Sequence, residues 1–159
     1  MIERLEGGVS EVVFEPPPAQ FVEGLVQKLC DAYNRLHGQP GTDEFLLMAG
    51  FIFDFTCIHP FQDGNGRVSR LLTTLLAYKA GFDVVRYISH EKLVADSKLQ
   101  YYAALTDSSR NWLRDAHDWT PWIDYFTAKF VQAHEDLAAR VASVGSARGY
   151  PGMRIREVI

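Results

Sequence analysis

The sequence predicts an all-helical bundle of five or more helices with a small β element at its start. Three observations carry that prediction. Apolar residues recur at i, i+3, i+4 spacing from Ala19 onward, the segment from Phe45 to Ile58 is apolar almost all round, and the strand-like run Val9 to Phe14 stops at three consecutive prolines. At 159 residues, 47% hydrophobic and 23% charged, the chain suits a single domain with one core, large enough to need neither disulfide nor structural metal.

Gly7-Gly8 followed by Val9, Val12, Val13 and Phe14 reads as a short strand or half hairpin, and Pro16-Pro17-Pro18 as the stiff connector that ends it. Phe21, Val22, Leu25, Val26, Leu29, Cys30, Tyr33 and Leu36 trace one face of a first helix, which closes near His37-Gly38-Gln39-Pro40-Gly41. Thr42 is expected to cap the second helix, with Asp43 and Glu44 in its first turn, where the helix dipole favours acid. That helix, apolar on every side, should be central and buried until it stops at His59-Pro60.

A third helix is expected from Asn65 or Gly66 to Ala80, with Gly81 as its C-cap. Ser89 should cap a fourth that runs unbroken from His90 to about Asp107, burying Leu93, Val94, Leu99, Tyr102, Ala103 and Leu105. Thr120 as N-cap and Pro121 at the first helical position open a long last helix through Trp122, Ile123, Phe126, Phe130, Ala133, Leu137 and Val141. Residues 1–144 thus read as one core, with 1–18 its β element and connector. Residues 145–159 read as a linker-like tail leading toward a further domain outside this chain. Cys30 and Cys57 lie in apolar stretches without ligand spacing and are expected in the core, as are Trp112, Trp119, Trp122, Tyr125 and Phe126.

A formal charge of −4 argues against a general polyanion surface, so direct nucleic-acid binding by this core is not expected. No apolar run approaches the roughly 18 residues of a membrane span, and the start lacks a basic-then-apolar leader pattern, so the cytoplasm is the expected location and no membrane partner is expected.

One segment exceeds what a connector requires: His59-Pro60-Phe61-Gln62-Asp63-Gly64-Asn65-Gly66-Arg67-Val68-Ser69-Arg70. Gly64 and Gly66 permit backbone conformations closed to other residues and let a ligand approach the main chain. A helix starting at Asn65 or Gly66 presents unpaired N–H groups and its positive dipole end, which is an anion site. Arg67 and Arg70, three apart on one face, suit two phosphates of a polyphosphate. Asp63 beside such a site points to Mg²⁺, which is commonly held by one carboxylate, water and substrate phosphates. His59 is the candidate general base, histidine being the side chain that exchanges protons near neutral pH. Taken singly, each residue has a commonplace explanation as turn, cap or solvated face. A plain turn needs the glycines but not the histidine, acid and arginine pair together. An EF-hand is excluded because Val68 and Thr74 stand where glycine and glutamate are required, and no P-loop, dinucleotide fingerprint or zinc spacing occurs.

The segment resembles the Fic domain family, whose signature His-x-Phe-x-Asp/Glu-Gly-Asn-Gly-Arg-x-x-Arg is matched by His59, Phe61, Asp63, Gly64, Asn65, Gly66, Arg67 and Arg70. Phe14-Glu15-Pro16-Pro17-Pro18 and the stretch from Tyr87 through Tyr101-Tyr102-Ala103-Ala104-Leu105 are similar to flanking parts of that family. The resemblance implies a Fic-type helical bundle with a β-hairpin flap near the N-terminus. It also implies transfer of AMP from ATP to a Ser, Thr or Tyr hydroxyl of a target protein, with release of pyrophosphate. By position, His59 would deprotonate the hydroxyl and Asp63 would hold Mg²⁺. Gly64, Asn65 and Gly66 would cradle the α- and β-phosphates, Arg67 and Arg70 would meet the β- and γ-phosphates, and Phe61 would be a buried anchor. Val12, Val13 and Phe14 would dock the target by strand addition, on a hairpin whose first strand is expected to be incomplete or missing. ATP and a hydroxyl-bearing protein are the implied partners, and a homodimer is compatible with the family. Many members restrain themselves with a Ser/Thr-x-x-x-Glu helix; no Ser or Thr here has Glu four residues later. Two alternatives stay open: the same fold using another nucleotide or phosphate donor or removing AMP, and a nucleotide-sensing regulatory module.

Overall fold

The computed structural model describes residues 2–6 and 9–147, with side chains over 15–144. Two strands, β1 (Ile2–Glu6) and β2 (Val9–Phe14), pair antiparallel, with a register shift between Ile2 and Glu3, and β2 lies beside the helix of residues 98–109. The remaining elements are helical: α1 (Ala19–Leu36), α2 (Glu44–Ile58), α3 (Asn65–Lys79), α4 (His90–Asp96), α5 (Lys98–Ser109) and α6 (Thr120–Ala147), with short 3₁₀ turns at Asp83–Arg86 and Trp112–Arg114. The class is therefore helical. The strand pairing does not by itself make the pair a flap. Gly7, Gly8, the side chains of Val12, Val13 and Phe14, and residues 148–159 lie outside what is described.

α2 is the axis of the bundle. Met48, Ala49, Ile52, Phe53, Phe55, Cys57 and Ile58 are all buried, because α1, α3 and α6 pack around it. Its cap is Asp43, one residue after the expected Thr42: the Asp43 carboxylate accepts from the N–H groups of Phe45 (2.9 Å) and Leu46 (3.0 Å). Glu44 ties α2 back to the end of α1, accepting from the Gly38 N–H at 2.6 Å and meeting His37 Nδ1 at 2.7 Å. The Gly38 and His37 bonds hold its carboxyl below the usual carboxylate range. α1 packs on α2 through one edge only; Tyr33 is its one fully buried residue, and Phe21 and Leu36 are exposed. Cys57 is buried as expected, whereas Cys30 is half-buried.

α6 closes the core. Trp122 is buried and donates its indole N–H to the Ala49 carbonyl of α2 at 2.9 Å, while its own amide donates to Ser108 Oγ of α5 at 3.0 Å. Phe126 and Phe130 extend the same face against Phe45 and Phe82, with centroid separations of 5.1–5.7 Å among these rings, the range of favourable aromatic pairs. Trp119 is exposed and Trp112 only part-buried, so the expected tryptophan core reduces to Trp122. The helix starts at Thr120 itself, whose N–H is taken by Asp118 at 2.9 Å, and it runs to Ala147, three residues into the expected linker.

The largest difference from the sequence reading is the break at Ser97. Its hydroxyl donates to the Leu93 carbonyl (2.7 Å) and meets the Tyr125 hydroxyl of α6 (2.9 Å), and its backbone leaves helical geometry at φ −122°. A serine that bonds its own preceding turn competes with the helix, and here a tertiary partner fixes the outcome. The break re-phases α5. Tyr101 and Ala104 face the core, while Leu99 (74% exposed), Tyr102 and Ala103 face outward. α3 ends as expected around Gly81, whose φ of 85° suits glycine, with Phe82 N–H bonding the Ala77 carbonyl at 2.9 Å in a Schellman turn.

His90 is buried against the rings of Phe126 and Phe130, and burial, reinforced by Lys129, pushes its pKa down to about 4. The unfolded chain takes up that proton near pH 6.5, so the stability linked to neutral His90 is complete above that pH and is lost as pH falls toward 4. Denaturant titrations should show a decline on the order of 2–3 kcal/mol across this window, and His90→Phe should flatten it. An equal decline in the variant would assign the effect to other groups.

Candidate active site

The loop between α2 and α3 begins with a strained residue. His59 is the C-cap of α2 and sits in the left-handed region at φ 52°, ψ 56°, a conformation that costs a non-glycine residue on the order of 1 kcal/mol. Its amide closes the helix on the Phe55 carbonyl (3.1 Å), and its ring Nδ1 lies 3.3 Å from the Thr56 carbonyl oxygen. A carbonyl oxygen can only accept, so the contact is a hydrogen bond in the tautomer that carries its proton on Nδ1, with Nε2 as the acceptor.

The loop is closed from its far end by Asn65, the first residue of α3. Its side chain is buried; Oδ1 accepts from the Phe61 N–H at 2.9 Å and Nδ2 donates to the Phe61 carbonyl at 2.6 Å. Both polar ends of the amide are engaged in the loop, so the expected cradling of phosphate by Asn65 is left to its backbone N–H. Phe61 is no buried anchor: its ring is 50% exposed, 6.4 Å from that of Phe55, and the residue is held through its backbone by Asn65.

Gly64 caps α3 at φ 88°, ψ 0°, where a side chain would be strained. The first backbone bond of the helix runs from Val68 N–H to the Gly64 carbonyl at 2.9 Å, so the N–H groups of Asn65, Gly66 and Arg67 precede it at the positive end of the dipole. The two arginines fold back over this end. A Cβ on Gly64 would come within 3.4 Å of Arg67 Nη2, and one on Gly66 within 3.3 Å of Arg70 Nη1. The glycines thus leave room for guanidinium groups beside the helix start.

The ion pairs differ in character. Asp63 Oδ1 accepts from the Gly64 N–H (2.6 Å), and Oδ2 meets Arg67 Nη2 at 3.0 Å, with side chains 92% and 69% exposed, an arrangement that contributes little and exchanges readily. Arg70, 25% exposed, places Nε 3.2 Å from Oε1 of Glu91 in the first turn of α4. His59, Gly66 and Arg70 share a cavity of about 210 Å³ with α5, which contributes Tyr101, Tyr102, Thr106 and Ser109. Burial pushes the Tyr101 phenol up, opposed by a hydrogen bond with Ser69. Asp63 and Arg67 stand outside this lining. A wider cavity of about 600 Å³, bounded by Gly50, Asp54, Trp112 and Trp119, contains none of the loop residues. Among the described residues no group of three or more His, Cys, Asp or Glu side chains is arranged to hold a metal, and no helix is long and apolar enough to cross a membrane.

Sequence reasoning brought together His59, Gly66 and Arg70 but missed Glu91 and the α5 wall. Tyr102, Thr106 and Ser109 recur at i, i+4, i+7, a polar-aromatic face that the expectation of an unbroken helix concealed.

A left-handed histidine, a glycine-flanked helix start and two arginines thus meet at one loop of a helical bundle. Residues 3–77, a little under half of the chain, match the family described as Fic/DOC. It is similar to a Fido domain-containing protein of Dictyostelium discoideum (39% identity over 37% of this chain and 38% of that protein). It is also similar to a probable protein adenylyltransferase of Aquifex aeolicus (33% identity over 52% of this chain and 25% of that one). A solved Fic family protein from Desulfovibrio desulfuricans G20 superposes with a TM-score of 0.66 at 26% identity, covering 79% of this chain and 35% of that chain. The matches thus span well under half of each of these relatives.

Replacing Asn65 by Ala removes both bonds to Phe61. We expect a loss of about 1–3 kcal/mol in denaturant unfolding and faster hydrogen exchange at the Phe61 amide. Asn65→Asp keeps the acceptor and should retain part of the protection.

Proposed function

We propose that this chain transfers AMP from ATP to a Ser, Thr or Tyr hydroxyl of a target protein. The observation that carries the reading is the shared cavity of His59, Gly66 and Arg70, in which His59 acts as the tautomer that donates from Nδ1 to the Thr56 carbonyl. The match of residues 3–77 to the Fic/DOC family and the adenylyltransferase name of the Aquifex relative support the same chemistry.

In the proposed reaction the target hydroxyl oxygen attacks the α-phosphorus of ATP as His59 Nε2 accepts its proton. The bond from the α-phosphorus to the β-phosphate oxygen breaks, and pyrophosphate leaves. The N–H groups of Asn65, Gly66 and Arg67 receive the phosphate oxygens, and Arg67 and Arg70 balance charge on the β- and γ-phosphates. Asp63 fits a magnesium role: a solvent-facing carboxylate, loosely paired with Arg67, can hold an ion that keeps most of its waters. Such an ion, when bound with ATP, supplies charge neutralisation at the leaving pyrophosphate. The target segment is held by strand addition along β2, through Val12, Val13 and Phe14; the position of β2 beside α5, one wall of the cavity, supports this.

Incubation with labelled ATP, Mg²⁺ and a cell lysate, followed by mass spectrometry for added AMP, tests the reading. His59→Ala should lower transfer by about 10²–10⁴-fold, the range for loss of a general base. Equal transfer by the variant, or none by the intact chain, overturns it.

A further inference from the structure

We infer that Glu91 is a positioning residue that holds the Arg70 guanidinium in the orientation in which it receives the distal phosphates of the nucleotide; this rests on the function proposed above. The contact is made to Nε of Arg70, at 3.2 Å from Glu91 Oε1, on the inner edge of the guanidinium plane. Nη1 is the atom nearest the space above Gly66, over the first turn of α3. Glu91 therefore engages the Nε edge of the group while Nη1 lies toward the helix start. A two-pronged pair on the outer nitrogens would have consumed the donors that a phosphate needs.

The two motif arginines are treated differently. Arg67, in the first turn of α3, pairs with a carboxylate four residues earlier in the preceding loop, and both side chains are exposed. Glu91 belongs to a separate element whose start is fixed: Ser89 Oγ accepts from the Lys92 N–H at 3.2 Å, and His90, Leu93 and Val94 are buried on either side of it. A long side chain anchored to a rigid neighbour loses its rotamer freedom before the ligand arrives, so less is lost on binding. Arg70 is also the arginine that lines the cavity with His59, so its orientation sets where the distal phosphates lie relative to the base.

Calorimetric titration with Mg·ATP and, separately, with AMP tests this on the wild type, Glu91→Ala and Glu91→Gln, after circular dichroism has shown the fold intact. Glu91→Ala should weaken Mg·ATP binding by about five- to tenfold, the scale of one partly exposed charge-assisted bond, and leave AMP within about twofold. Gln, which can still accept from Nε, should recover part of the loss. In an Arg70→Ala background Glu91→Ala should add nothing. Tighter Mg·ATP binding in Glu91→Ala would make Glu91 a competitor of phosphate and overturn the proposal, as would equal losses for Mg·ATP and AMP or no loss at all. Nitrogen-15 relaxation of the Arg70 Nε–H separates this from the functional reading. If the wild type binds no Mg·ATP, the adenylyl-transfer reading fails, while ordering of that N–H in the wild type and its loss in Glu91→Ala still establish the anchoring. Equal order in both overturns it.

Discussion

The two hydrogen bonds between the Asn65 side chain and the Phe61 backbone are the constraint on which the candidate site depends. They join the loop that leaves α2 to the first residue of α3, across only four positions of sequence. Because the amide is buried, neither bond has water as a ready substitute, and an unpaired group there would carry its full desolvation cost. With the loop closed in this way, His59 is held in the left-handed region at one end and Gly64 at the other. Strain at His59 persists because α2, anchored in the core, and Asn65 together over-determine the path between them.

Charge is organised locally against an acidic background. The chain carries a net −4, yet the start of α3 gathers the helix dipole, three leading N–H groups and two guanidinium groups. Each guanidinium has a carboxylate partner, Asp63 or Glu91. These pairs differ in setting more than in length, since one joins an exposed loop residue to the first turn of α3 and the other spans from α3 to α4. Exposed ion pairs of this kind contribute little to stability, so neither pair holds the fold together.

Periodicity was a sound guide where one chain segment decides its own structure. α1 and α2 lie within a residue of their expected bounds, and α3 starts at one of the two residues foreseen, because amphipathic spacing, a uniformly apolar run and Gly81 are local signals. It failed where a tertiary partner intervened. Tyr125 draws Ser97 out of helical geometry, and that single break turned Leu99 and Tyr102 outward against expectation. Phe61 departs from expectation for a similar reason: an aromatic residue beside a buried helix suggests an anchor, but its ring is exposed and its backbone is held by Asn65.

The sequence by itself determined the helical class, the order of the helices and the chemical identity of the loop. Residue type and spacing suffice to specify a histidine, a glycine-flanked helix start and two guanidinium groups within twelve positions. Only the tertiary structure decided what those groups face. The Thr56 carbonyl lies against His59 Nδ1, the Asn65 amide is taken up by the Phe61 backbone, α5 walls the cavity, and Glu91, 21 positions away, meets Nε of Arg70. Such contacts are set by how helices pack across the core, and no local pattern of residues encodes that distance or angle.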